Sequence, residues 1–301
     1  MGGIDPGRVG GTNAPAAPAG RRWRTGPYWL ALQVVLSASL LLLFLLPIVA
    51  LFTYAPVSRI FSELSNAQVR EALWVTFLAS GIAVLSAVVF GIPLGYVLAR
   101  RRFPGRSVVE SFIALPIVVP HLLVGLGLFF LVLPGTPLYR LTQSLGLPIY
   151  DTIWGVVLVM VFVSAPYTVL ASELSFRAVD GRVIEASRSL GAGAATAFLT
   201  VTLPLAARGI VAGLLLTWAR AVSEIGGLLI LASFVIPGGV YSGPVSTTIS
   251  VFIYSLFNQG DLQDAAAVSS LFLLFAFAIF LLVRLGERSG WLPWGRGELS
   301  P

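Results

Sequence analysis

VIEASRSLGAGAATAFLTVTLPLAARGI, residues 183–210, is a polar interruption between two long apolar runs. Val179, Val183, Ala186 and Leu190 recur at helical spacing and predict a short helix with one narrow apolar face. Arg177, Arg182, Glu185 and Arg188 fall on the rest of its surface. Gly191 is placed to end that helix as a left-handed cap. Ala194 to Val201 can form a second short helix, with Pro204 near its end, just before the next run. A helix–Gly–helix elbow with small residues suits a shallow groove on a soluble partner. It also suits a lipid surface, where a one-sided helix lies flat.

The rest of the chain says what this elbow is attached to. Of 301 residues, 57% are hydrophobic and only 11% charged, which is the balance of a polytopic membrane protein. Six runs are long and apolar enough to cross a bilayer as helices: 28–54, then roughly 72–99, 108–133, 152–172, 208–233 and 264–285. The first follows Arg21, Arg22 and Arg24 but is too long for the core of a signal peptide, so it reads as an anchor. Residues 1–27, rich in Gly, Pro and Ala, read as a disordered tail, and 286–301 as a second tail. The loop at 173–207 carries the elbow.

All 19 basic side chains are Arg, and their placement sets the topology. Arg21, Arg22 and Arg24 precede the first run. Arg100, Arg101, Arg102 and Arg106 fill the second loop, Arg177, Arg182, Arg188 and Arg208 the fourth, and Arg284, Arg288 and Arg296 follow the last run. The opposite loops hold only Arg59, Arg70 and Arg140. Positive charge stays on the cytoplasmic side, so both tails and the 173–207 loop are expected there. With no Lys the chain has no Walker A phosphate loop, so any ATP is expected to be hydrolysed elsewhere. With no Cys and a single His, His121, it has neither disulfides nor the makings of a metal centre.

Two constellations lie inside the membrane runs. Pro116 and Pro120, in LPIVVPHLLVGLG at 115–127, each remove a helix hydrogen bond and predict a kink or break beside His121. Gly125 and Gly127 permit close backbone approach. Arg220 and Glu224 are four apart and predict a shared helix face, with Ser223, Gly226 and Gly227 beside them. Charged groups at that depth belong in a bundle interior or along a watery path. They fit either a mutually neutralised structural pair or a lining of that path. Ser246, Thr247 and Thr248 are hydroxyl donors before the last run, or a helix cap.

The 183–210 stretch resembles the coupling loop of ABC-importer permeases. That loop reads Glu-Ala-Ala, three residues, Gly, nine residues, Ile-x-Leu-Pro; here stand Glu185, Ala186, Ser187, then Gly191, then Val201, Leu203 and Pro204. Ser187 and Val201 are the two departures, and Arg188 lies within the loop. The Pro-rich start at 115–127 and the stretch from Arg220 to Gly226 resemble the molybdate, tungstate and sulfate branch, with Ile225 where that branch has Phe. The resemblance implies an all-α fold with a five-helix core and one peripheral N-terminal helix. It implies a homodimer around one pore, a cytoplasmic ATPase that carries the ATP and Mg, and an external binding protein. Pro116, Pro120, His121, Arg220, Ser223, Glu224 and Gly226 become the candidate translocation path. No catalytic residue and no cofactor in this chain is implied.

Three other readings compete. A sulfate or thiosulfate permease, or one for another small solute, differs only in cargo. A secondary transporter would have no use for the 185–204 motif. An intramembrane enzyme would need a nucleophile–base or metal constellation, which one His and no Cys do not supply.

Overall fold

The computed structural model describes residues 27–288. The tails expected over 1–27 and 286–301 therefore lie almost wholly outside the described residues. Among the described residues there are only helices, turns and two isolated β-bridges. Helix α1, Pro27–Tyr54, belongs through Val49 to a unit of its own, and its side chains from Tyr28 to that point are exposed. Among the described residues, those from Ala50 to Arg288 form a second, compact unit.

In that second unit, the short α2 (Val57–Ser62) leads to α3 (Ala67–Ser86). This continues through a π turn, Ala87–Gly91, into α4 (Ile92–Arg100), making one apolar span over Ala67–Arg100. A turn at Pro104 and Gly105, with φ +81° at the glycine, starts α5 (Arg106–Val118). A 114° bend separates α5 from α6 (His121–Leu131). After α7 (Pro137–Ser144), α8 (Ile153–Ala178) recrosses. The elbow is α9 (Gly181–Ser189) and α10 (Ala194–Ala197). A second π turn, Phe198–Thr202, leads into α11 (Leu203–Val222). Short α12 (Leu228–Leu231), α13 (Ile249–Gln259) and α14 (Leu262–Arg288) complete the chain.

Helix α8 is the axis, the most buried of the long spans. Small residues bring its neighbours close, as lipid-embedded helices require when solvent exclusion does not drive them together. Gly95 of α4 lies where a Cβ would come within 2.7 Å of the Ser172 side chain. Gly209 and Gly213 of α11 lie against Ser175 and Ala171. Thr168 and Thr217 share a buried hydrogen bond of 2.6 Å across the α8–α11 seam. Tyr96, Phe176 and Phe198 close the base of these three helices, with ring centroids 4.9 to 5.9 Å apart.

Four sequence expectations change. The fifth run is not 208–233: the span is Ala194–Val222. It starts earlier because the helix runs on from α10 through the π turn into α11 instead of stopping before Pro204. Proline lacks an N–H and clashes with the carbonyl four residues back, and the π turn just before it absorbs both defects. The same device precedes Pro93. The span also ends earlier, at Val222, for a reason set by Glu224 and given below. The break in the third run falls at Val119–Pro120, while Pro116 sits buried inside α5. Only Gly125 serves close approach, since Gly127 faces open space. Thr248 precedes α13 but caps nothing with its side chain: the Thr76 hydroxyl accepts from the Ile249 N–H at 2.8 Å instead.

Candidate functional site

The elbow is built as a capped hairpin of turns. Helix α8 extends to Ala178, so the loop proper starts at Val179, which is extended, buried, and packed with Phe176, Ala206 and Ile210. Val179 is therefore not part of the exposed apolar face expected of α9. Asp180 caps α9 by accepting from the Arg182 N–H at 2.9 Å. The Arg182 guanidinium beside it, 2.7 Å away, and that backbone bond hold the Asp180 carboxyl below the usual carboxylate range. Gly191 has φ +94°. Its N–H meets Arg188 O at 3.0 Å, and the next N–H, of Ala192, meets Ser187 O at 3.1 Å. These are the two bonds of a Schellman cap.

The elbow presents one face outward. Ile184 packs inward against the buried cluster of Phe176, Val179, Ala206 and Ile210, and Ser187 is half-buried, bonded to Ile184 O. Val183, Glu185, Ala186, Arg188 and Leu190 are exposed, Leu190 to 90%. Leu203 and Pro204 are half-buried and seat the base of α11 rather than the outer surface. Sequence reasoning missed Arg100, whose guanidinium donates to Val179 O at 3.0 Å and pins the neck of the elbow to α4. Nothing short of the fold brings these residues, 79 apart, together.

The second constellation gathers residues from two runs. Arg220, on the last turn of α11, reaches Glu224 Oε2 at 2.5 Å. The helix has ended by then, with Ser223 as its cap residue, so the pair does not share a continuing helix face. The other oxygen, Oε1, accepts from the Gly227 N–H at 2.8 Å, which starts α12 and turns the chain. His121, the first residue of α6, lies with its ring nitrogens 2.9 and 3.0 Å from Arg220 Nη2, and with Nδ1 3.8 Å from Glu224. A Cβ on Gly226 would come within 2.7 Å of His121 Cβ, and one on Gly125 within 2.7 Å of Gly227 O. These glycines let the 224–227 turn lie on α6.

The cluster is layered. The Glu224 side chain is wholly buried, Arg220 is 16% exposed, and His121 is 43% exposed. Ser223 is exposed, 3.3 Å from Arg220. The carboxylate lies behind, and the donors lie in front. Pro120 is exposed beside His121, whereas Pro116 is not part of this group. Ser246, Thr247 and Thr248 do not converge on it. Ser246 pairs with Val235 through its backbone, and Thr247 donates to Ser233 O at 2.8 Å.

Residues 91–289 match the family described as binding-protein-dependent transport system inner membrane component. The molybdate/tungstate transport system permease protein WtpB of Thermococcus kodakarensis is 34% identical over 259 residues, 85% of this chain and 95% of that protein. The sulfate transport system permease protein CysT of Synechococcus elongatus is 33% identical over 249 residues, 81% and 86% of the two chains. The fold matches a bacterial alginate ABC transporter, solved in complex with an alginate pentasaccharide-bound periplasmic protein. That match has a TM-score of 0.63 at 18% identity, covering 87% of this chain and 94% of that one. The chain thus belongs to the inner-membrane components of binding-protein-dependent transport systems, as a multi-pass ABC-importer permease, a transport subunit rather than an enzyme.

Proposed function

We propose that two copies of this chain enclose one path for a tetrahedral oxyanion, molybdate or tungstate. Each copy docks a cytoplasmic ABC ATPase through α9, and an external binding protein delivers the cargo. ATP and Mg belong to the ATPase. The observation that carries the cargo is the match to WtpB along nearly its whole length. The layering of the cluster supports it: a bare Glu224 would repel a dianion, but here Arg220 screens it and the exposed groups are His121, Ser223 and the guanidinium edge. The outward Val183–Ala186–Leu190 stripe supports docking, because an exposed apolar strip beside charged residues suits a partner groove. Sulfate or thiosulfate is the second reading, favoured by the match to CysT.

The cargo test is reconstitution with the cognate ATPase and binding protein. Molybdate- or tungstate-loaded binding protein is expected to stimulate ATP hydrolysis. Stimulation by the sulfate-loaded form alone would move the assignment to the second reading. A response only to a sugar, amino acid or metal cation would end the oxyanion reading.

The Arg distribution supports cytoplasmic termini and a cytoplasmic α9. The cysteine-free chain makes this simple to check. Single Cys residues at Leu145 and Val245, both more than 60% exposed, are expected to react with an impermeant thiol reagent from outside. A Cys at Ser189 should react only after the membrane is opened. Outside labelling at Ser189 would defeat the docking assignment.

A further inference from the structure

We propose that Glu173 is a positioning residue for transport, the clamp through which movement of the docking elbow reaches α5 and, beyond it, the His121 cluster. The proposal rests on the docking reading above. Four charged side chains at one end of α5 and α8 close a ring. Arg106 donates to Glu110 Oε1 through Nε at 2.7 Å and to Glu173 Oε1 through Nη2 at 2.9 Å. Arg177 Nη2 reaches Glu110 Oε1 at 3.1 Å and also bonds Glu173 Oε1. Two Arg and two Glu leave the ring neutral. Glu173 is its buried member, with a side chain only 6% exposed. Removing it would leave two guanidinium groups sharing one carboxylate.

The surroundings make this ring a clamp rather than ornament. Helix α8 is held on two sides by α4 and α11 through the small-residue contacts described above, and it runs into the neck that Arg100 pins. That block carries α9 and moves with it. Helix α5 is held differently. Along its length only Pro116 is buried, while Val108, Phe112, Leu115 and Val118 are exposed, Val118 to 82%. An open surface groove of about 500 Å³ runs between α5 and α8 beside the ring, lined by Ser107, Ser111, Ala114 and Leu174 among others. So α5 has little apolar packing within its own chain to drag it along. At one end the ring ties it to α8. At the other, past Val119 and Pro120, it becomes His121. A thinly packed helix tied at one end and joined to the candidate path at the other transmits displacement only while the tie holds.

The test is Glu173→Gln in the complex with ATPase and binding protein, reconstituted in vesicles. ATPase co-purification and hydrolysis stimulated by loaded binding protein should stay near wild type, while cargo accumulation falls about tenfold, so that more ATP is spent per cargo. Arg106→Gln combined with Glu173→Gln restores neutrality but not the clamp, and should remain uncoupled. Recovery of transport in that double variant would reduce Glu173 to charge balance and overturn the proposal. So would a parallel fall in hydrolysis and transport, or normal transport in Glu173→Gln. Should Glu173→Gln fail to assemble, Arg177→Gln removes the more exposed partner and keeps the Arg106–Glu173 bond. It should raise the ATP-to-cargo ratio to a lesser degree, and an unchanged ratio overturns the proposal equally. Glu185→Ala separates the two ideas. If it docks and transports normally, the docking reading fails. If it loses the ATPase while Glu173→Gln transports normally, only the clamp fails.

Discussion

Gly191→Val is expected to lower transport about tenfold or more while leaving insertion of the spans intact. Gly191 holds φ +94°, a region that costs an ordinary L-residue roughly 1–2 kcal/mol and a β-branched one more. No atom lies within 4 Å of where its Cβ would be, so the penalty is backbone strain alone and not a clash. The strained turn escapes by giving up the two Schellman bonds to Ser187 and Arg188, which frees α10 to swing away from α9. Gly191→Asn is the control, since Asn tolerates this region; it should keep most activity. Glu185→Ala removes an exposed charge and raises helix propensity slightly, so it should weaken ATPase contact by a smaller factor without disturbing α9. The readout is co-purification of the ATPase together with transport in vesicles. If Gly191→Val holds the ATPase and transports as wild type, the elbow is not the coupling element.

What the sequence made legible followed from local rules. The spans were visible because about 20 apolar residues in a row have few other uses. Gly191 was visible because a glycine at the end of a short amphipathic pattern has a specific backbone job. The limits of the fifth span were not. Its start is hidden because a π turn lets a helix run through the region of Pro204, and π turns leave no periodic trace. Its end is hidden because Leu228–Leu231 continues the apolar run after the helix has stopped. The stop comes from Glu224, whose carboxylate takes the Gly227 N–H as well as Arg220. The third run showed its two prolines but not which one breaks the chain. The long loop after the fifth span gave no sign of α13, because Pro237, Gly238, Gly239, Gly243 and Pro244 dominate the preceding stretch.

The candidate sites divide in the same way. Arg220 with Glu224, Arg106 with Glu110, and Glu173 with Arg177 are all four apart, and each is readable as a local pair. What joins the pairs is not readable. His121 meets Arg220 across 99 residues, and Arg106 meets Glu173 across 67. Arg177 illustrates the consequence. Counted with the polar face of α9, it belongs to α8 and to the charged ring. Ile184, absent from the expected apolar stripe, packs α9 against the buried cluster, while Val179 of that stripe is buried and Val183, Ala186 and Leu190 stay exposed.

Arg220→Ala is expected to be the most damaging single change inside the membrane, and its rescue is more informative than its loss. Glu224 is wholly buried, and its Oε2 depends on Arg220, while Oε1 keeps the Gly227 N–H. Removing the guanidinium strands a buried carboxylate, a change that costs about 3–5 kcal/mol in comparable pairs. Membrane yield and thermal stability in detergent should fall sharply. Glu224→Gln alone should be milder, because the amide oxygen can still accept from Gly227 and Arg220 has His121, Ser223 and a partly open edge. The double variant, Arg220→Ala with Glu224→Gln, leaves no buried charge and should recover most of the stability. Transport separates the structural role from the path role. If Arg220 only neutralises Glu224, transport returns with stability in the double variant. If its exposed edge also meets the anion, the double variant is stable yet still transports about tenfold less than wild type, because the donor facing the path is gone. Equal loss of stability in the single and double variants would show that the two side chains do not depend on each other, against the 2.5 Å contact between them.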